Sequence, residues 1–207
     1  MVTAGFRIGV LGSGSGSNCE AILKACASGR IPGQVVIVLS DVAGAMILER
    51  ARRHGIKSEF IGQSQLKTKL EPSLEDQVVR MLLDEGVRFV ALAGYMRVVK
   101  SAMLHAFGGH IVNIHPSLLP AFPGLSAWEQ ALAYGARVTG CTVHFVDESL
   151  DGGPIIMQQA VPVLPNDTPA ALLQRIQLVE HQVYPEAIRL FAQGKLEVAG
   201  RMVKILE

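Results

Sequence analysis

The chain has 207 residues, of which 49% are hydrophobic and 18% charged, with a formal net charge of +1. These values describe an ordinary globular protein long enough to fill one core, so residues 1–207 read as a single domain. The near-neutral balance gives no support for a nucleic-acid or membrane-surface partner, and three cysteines without a C-x-x-C pair or an H-E-x-x-H leave no metal motif.

In chain order, Arg7–Leu11 is predicted as a strand, followed by a Gly/Ser loop and a helix from about Asn18 to Ser28. Cys19 and Cys26, seven apart on that helix, read as two small core residues on one face. The first apolar run is too short for a signal core or a membrane span, and the sparse, odd cysteine count suits a reducing compartment. A cytoplasmic protein is therefore expected. Gln34–Ser40 is predicted as a strand buried on both faces, 45–54 as a helix and 58–70 as irregular polar chain. Pro72 opens a helix to Glu85 with Leu74, Val78, Met81 and Leu82 on its apolar side. Strands follow at 89–93 and 111–114, a helix at 126–134, and strands at 139–146 and 154–163. A long helix over 168–193 is expected to be interrupted at Pro185, and 197–205 reads as a closing hairpin around Gly200-Arg201. Strands alternating with helices predict an α/β, Rossmann-like fold. Its sheet is mostly parallel, with helices on both faces and a mixed C-terminal half.

Asn113 and His115 are two apart on a predicted strand and so share a side, while Pro116 biases the chain to leave that strand extended. Asp151 opens a turn-rich Asp-Gly-Gly-Pro segment after a later strand. An amide can hold an oxyanion, an imidazole can move a proton and a carboxylate can hold that imidazole charged, a set suited to acyl transfer. The loop Gly12-Ser-Gly-Ser-Gly-Ser-Asn18 between a strand and a helix favours a phosphate. Its spacing breaks the dinucleotide fingerprint, with Ser17 or Cys19 where the last glycine belongs, and no Walker lysine follows. The alternative is a plain tight turn with Asn18 as helix N-cap; three glycines exceed a turn's need and favour phosphate. His144 reads either as a core histidine or as a support for the site. Glu180-His181 reads either as functional or as a solvated helix face. Arg97 ends a strand where α/β sheets bind ligands, or makes a surface ion pair.

In order, Gly14-Ser-Gly-Ser-Asn18, Ala93-Gly-Tyr-Met-Arg97, Asn113-Ile-His-Pro-Ser-Leu-Leu-Pro120 with Phe122-Pro-Gly124, Gly140-Cys-Thr-Val-His144, Asp151-Gly-Gly-Pro-Ile155 and Glu180-His181 resemble the folate-dependent formyltransferase family. The resemblance covers about residues 6–205. The Asn-x-His-Pro-Ser block is shared across that family, and the Gly-Ser-Asn loop points to its phosphoribosylglycinamide formyltransferase branch. It implies transfer of a formyl group from 10-formyltetrahydrofolate, as co-substrate, to glycinamide ribonucleotide in purine biosynthesis, with no metal. It implies that Asn113, His115 and Asp151 are catalytic and that Gly16, Ser17, Asn18 and Glu180 bind the ribonucleotide. It implies a folate pocket of Lys69, Met96, Arg97, Val98, Val99, Asn113 and Asp147. Lys69 stands nearest to where relatives often carry an Arg, and Ser126-Ala-Trp128 where many carry histidines. The expected partners are these small molecules, with a monomer or homodimer. The alternatives are a formyltetrahydrofolate hydrolase, a nicotinamide oxidoreductase or nucleotide-binding module, and transfer to methionyl-tRNA. The phosphate loop, the broken fingerprint and the missing basic excess argue against them in turn.

Overall fold

The structure, a computed structural model, describes residues 5–207; the first four residues of the expected domain lie outside the described residues. Five strands make a parallel sheet: β1 (Arg7–Leu11), β2 (Gln34–Ser40), β3 (Lys57–Phe60), β4 (Phe89–Leu92) and β5 (Ile111–His115). Residues 8–11 and 89–92 are buried throughout, as strands covered on both faces must be. The sheet continues antiparallel through β6 (Val138–Phe145) and β7 (Ile155–Pro162), then through the hairpin of β8 (Leu196–Ala199) and β9 (Met202–Ile205). The full order is β3-β2-β1-β4-β5-β6-β7-β9-β8. The parallel sheet with a mixed second half is as expected.

One face carries α1 (Ser17–Ala27), α2 (Met46–Arg53), α5 (Ala127–Tyr134) and α6 (Pro169–Ala192), which bury Ile22, Ile47, Ala131 and Ile176. The other carries α3 (Pro72–Asp84) and α4 (Ser101–Phe107), with Val78, Leu82, Met103 and Phe107 inside. Cys19 is buried in the first core and Cys26 packs at its margin.

Three local expectations are corrected. Residues 58–60, expected to be irregular, belong to the edge strand β3, whose Lys-Ser-Glu-Phe sequence has little apolar signal and is ordered by pairing with β2. Ser101–Phe107 forms a helix not anticipated from the sequence, too short for its periodicity to stand out. α6 runs unbroken through Pro185 for 24 residues. A proline removes one helix hydrogen bond, but Pro185 is buried with Val183, Tyr184, Ala187 and Ile188, and packing of that stretch holds the helix together. The Tyr184 hydroxyl lies 3.0 Å from the Leu92 carbonyl and 2.9 Å from that of Val112, joining α6 to β4 and β5 beneath the site.

The chain winds outward from β1 to β3, then returns to place β4 on the other side of β1. The crevice where the order reverses lies outside the C-terminal ends of β1 and β4, the usual ligand position in open α/β sheets.

Candidate active site

The loops after β1 and β4 flank this crevice, and β5 ends beside it. Asn113 and His115 project from one side of β5. The antiparallel register sets His144 of β6 directly opposite Asn113, close enough for side chains to meet. Asn113 Nδ2 lies 3.2 Å from His144 Nε2. His144 Nδ1 is 2.9 Å from the Phe145 carbonyl, which only accepts, so Nδ1 carries a hydrogen. Burial pushes the His144 pKa down, with the Phe145 bond and Asp151 pulling the other way. The neutral ring thus has a lone pair at Nε2, and the Asn113 amide donates to it. His144 is thus both a buried histidine and a contact of Asn113.

Asp151 lies between the two histidines. Its Oδ2 is 3.5 Å from His115 Nδ1, its Oδ1 is 3.9 Å from His144 Nε2, and its Oδ2 accepts from Gly124 N at 2.8 Å. The last bond ties the loop after β5 to the loop after β6. His115 Nε2 lies 2.9 Å from the Phe122 carbonyl, so this nitrogen bears a hydrogen and Nδ1 is the one turned to Asp151. Both Asp151 (φ +50°) and Phe122 (φ +53°) adopt left-handed backbone that L-residues seldom occupy, strain of the kind that gathers at functional sites. Glycine is required sterically at 153: a Cβ there would fall 1.9 Å from the Phe145 carbonyl oxygen.

The three glycines of the Gly12–Asn18 loop do not all serve one purpose. A Cβ at Gly12 would meet Ile47 Cδ1 at 2.5 Å, and one at Gly16 (φ +73°) would meet Ile47 Cα at 2.7 Å, so both glycines also serve packing against α2. Gly14 faces open space. The helix N-cap is Gly16, not Asn18, and it makes no side-chain cap bond. Ser17 and Asn18 therefore sit in the first turn, whose amides have no intrahelical acceptor. The buried Asn18 side chain instead donates from Nδ2 to Glu180 Oε2 at 2.8 Å, joining residues 162 apart. Glu180 is only 4% exposed, not part of a solvated face. Burial raises its pKa to about 7, with the Asn18 bond opposing. Asn18 Oδ1 and His181 Nε2 are buried without a partner among the described residues.

Arg97 makes an ion pair, but a partly buried one: Nε donates to Asp41 Oδ2 at 2.6 Å, and Nη1 reaches the carbonyls of Leu66 at 2.5 Å and Lys67 at 2.8 Å. Asp41 also accepts from Ser13 Oγ at 2.6 Å, and Ser13 Oγ accepts from Met96 N at 2.9 Å. This string ties the loop after β1 to segment 96–97; sequence reasoning missed Asp41 and held Ser13 only as one member of the glycine-rich loop. An acid at the C-terminal end of β2 was the available signal. Val98 N donates to the Thr68 carbonyl at 2.7 Å, and Val99 is buried. Lys69 and Val99 border a cavity of about 500 Å³ with Leu70, Lys100, Leu104 and Glu148. Met96 is exposed. Asp147 accepts from Ser149 N at 2.8 Å and from the Ser149 hydroxyl, shaping its own turn. Among the described residues no group of three or more His, Cys, Asp or Glu is placed to hold a metal ion, and no helix is long and apolar enough to cross a membrane.

A profile described as formyl transferase matches residues 6–188. The phosphoribosylglycinamide formyltransferase of Escherichia coli is 40% identical over 192 residues, covering 93% of this chain and 90% of that protein. The human trifunctional purine biosynthetic protein adenosine-3 is 42% identical over 193 residues, 93% of this chain; the chain spans only 19% of that relative's length. The crystal structure of glycinamide ribonucleotide transformylase 1 from Symbiobacterium toebii superposes with a TM-score of 0.93 at 53% identity, covering 98% of this chain and 95% of that one.

Proposed function

The chain belongs to the formyl transferase family, and on that premise we propose that it transfers the formyl group of 10-formyltetrahydrofolate to the amine of 5'-phosphoribosylglycinamide in purine biosynthesis, acting as one domain. The observation that carries this reading is the convergence of Asn113, His115 and Asp151 at the end of β5, on the same sheet edge as the Gly14–Asn18 loop.

The substrate amine attacks the formyl carbon and a C–N bond forms. The oxyanion develops beside the Asn113 amide, whose fixed N–H acts without reorganising, and close to the His115 ring, whose two nitrogens are turned to Phe122 and Asp151. Asp151 favours the charged imidazole and relays the amine's proton toward the folate nitrogen as its bond to the formyl carbon breaks, leaving tetrahydrofolate. No side-chain nucleophile enters. The first-turn amides of Gly16, Ser17 and Asn18 hold the phosphate, and Glu180 meets the ribose or amine. Met96, Arg97, Val98 and Val99, with Lys69 and Asp147, wall the folate. Arg97 contributes chiefly by holding that wall, since two of its nitrogens are engaged within the chain.

Water could in principle replace the amine, giving a hydrolase. The trio would serve either acceptor, but the phosphate loop favours a tethered amine. Holding such a nucleophile close is worth roughly 7–11 kcal/mol in the best-oriented reactions. The protein given 10-formyltetrahydrofolate alone is expected to release little formate. Adding the ribonucleotide should start rapid transfer, with the formyl group recovered on it. Formate release indifferent to the ribonucleotide would overturn the transferase reading.

Ser17→Asp is expected to weaken ribonucleotide binding at least tenfold and leave folate binding nearly unchanged, because its carboxylate would repel a phosphate at the helix start. Separate titrations of the two ligands check this. Unchanged ribonucleotide affinity would remove the phosphate assignment.

A further inference from the structure

We propose that His144 is the positioning residue of the catalytic amide: by accepting one hydrogen from Asn113 Nδ2, it fixes which end of that amide faces the reacting carbon. The inference rests on the formyl-transfer reading and goes one step beyond it.

A side-chain amide on a strand can rotate by half a turn with little change in shape, exchanging a donor for an acceptor. In the first orientation the oxyanion meets an N–H; in the second it meets an oxygen lone pair, which repels it. Asn113 therefore needs a partner that distinguishes its two ends. His144 is 2% exposed and directly opposite in the register. Its Nδ1–H is committed to the Phe145 carbonyl at 2.9 Å, so the neutral ring offers only an acceptor at Nε2, 3.2 Å from Asn113 Nδ2. An amide nitrogen carries two hydrogens, and one goes to the buried ring. Asn113 itself is only partly buried, and its second N–H remains for the ligand. The charged or titratable groups around the ring are Asp151, 3.9 Å from Nε2, and, further out, His115 and Asp147. None of them supplies an acceptor to Asn113 in place of Nε2.

The test is a double-mutant cycle in the transfer assay. His144→Leu is expected to lower kcat about 10²-fold, near the loss of an oxyanion donor, with both KM values within about threefold. In the Asn113→Ala background the same change should cost less than about threefold, since it then has nothing to orient. His144→Gln, which can present an oxygen near the Nε2 position, should recover activity to within about tenfold of the wild type. A folded Leu variant with near-normal kcat, or an equal loss in both backgrounds, would overturn the proposal. Should the Leu variant fail to fold, the wild-type protein carries the test. An N–N coupling across the hydrogen bond between Asn113 Nδ2 and an unprotonated His144 Nε2 is expected in the 15N spectrum, and a protonated Nε2 without that coupling would overturn it. Absence of transfer by the wild type would defeat the functional reading instead, so the two failures are distinguishable.

Discussion

Asn113→Ala is expected to lower turnover by about 10²–10³-fold, the usual cost of deleting one oxyanion donor, while the fold and the affinity for both substrates are largely kept. Asn113 sits near the C-terminal end of β5, where its backbone pairs with β4 and β6 whatever the side chain. It is partly buried, so truncation leaves a small space open to solvent rather than a sealed cavity. The cost falls on the transition state because the amide meets full negative charge only there. Steady-state kinetics on the purified variant, alongside a thermal melt, check this. Near-normal kcat in a folded variant would exclude the oxyanion role.

Asp151→Asn is expected to depress kcat by roughly 10²–10⁴-fold, the range of a general acid–base contribution, with KM changed far less. The substitution is chosen on geometry. Position 151 has φ +50°, a conformation Asn tolerates nearly as well as Asp, so the turn should persist. An amide oxygen can still accept from Gly124 N, which keeps the two loops tied. What is lost is the negative charge 3.5 Å from His115 Nδ1 and the capacity to carry a proton. A variant whose only defect is weaker ribonucleotide binding would make Asp151 a substrate contact instead.

Much of this site is written in short stretches of sequence. The two-residue spacing of Asn113 and His115 fixes a common side on any strand, and Pro116 marks where that strand gives way to a loop. Apolar runs separated by helical patterns determine a sheet covered on both faces, and Gly14-Ser-Gly-Ser-Asn18 announces a strand–loop–helix turn. These features depend on backbone geometry within a few residues, which the local chain decides by itself.

The tertiary structure decided what depends on register and on distant partners. His144 could be read from sequence only as core or support; the pairing of β5 with β6 sets it against Asn113. Asn18 has the residue type of a helix cap, yet α6 brings Glu180 within 2.8 Å and claims its amide. Arg97 has the position of a ligand contact, but Asp41 at the end of β2 and two loop carbonyls hold its guanidinium. β3 exists because β2 offers it an edge, and α6 crosses Pro185 because the stretch around it is buried. For Asn18 and Pro185 the long-range contact outweighs a local preference of about 1–3 kcal/mol, and in none of these cases does a window of neighbouring residues contain the partner that tips the balance.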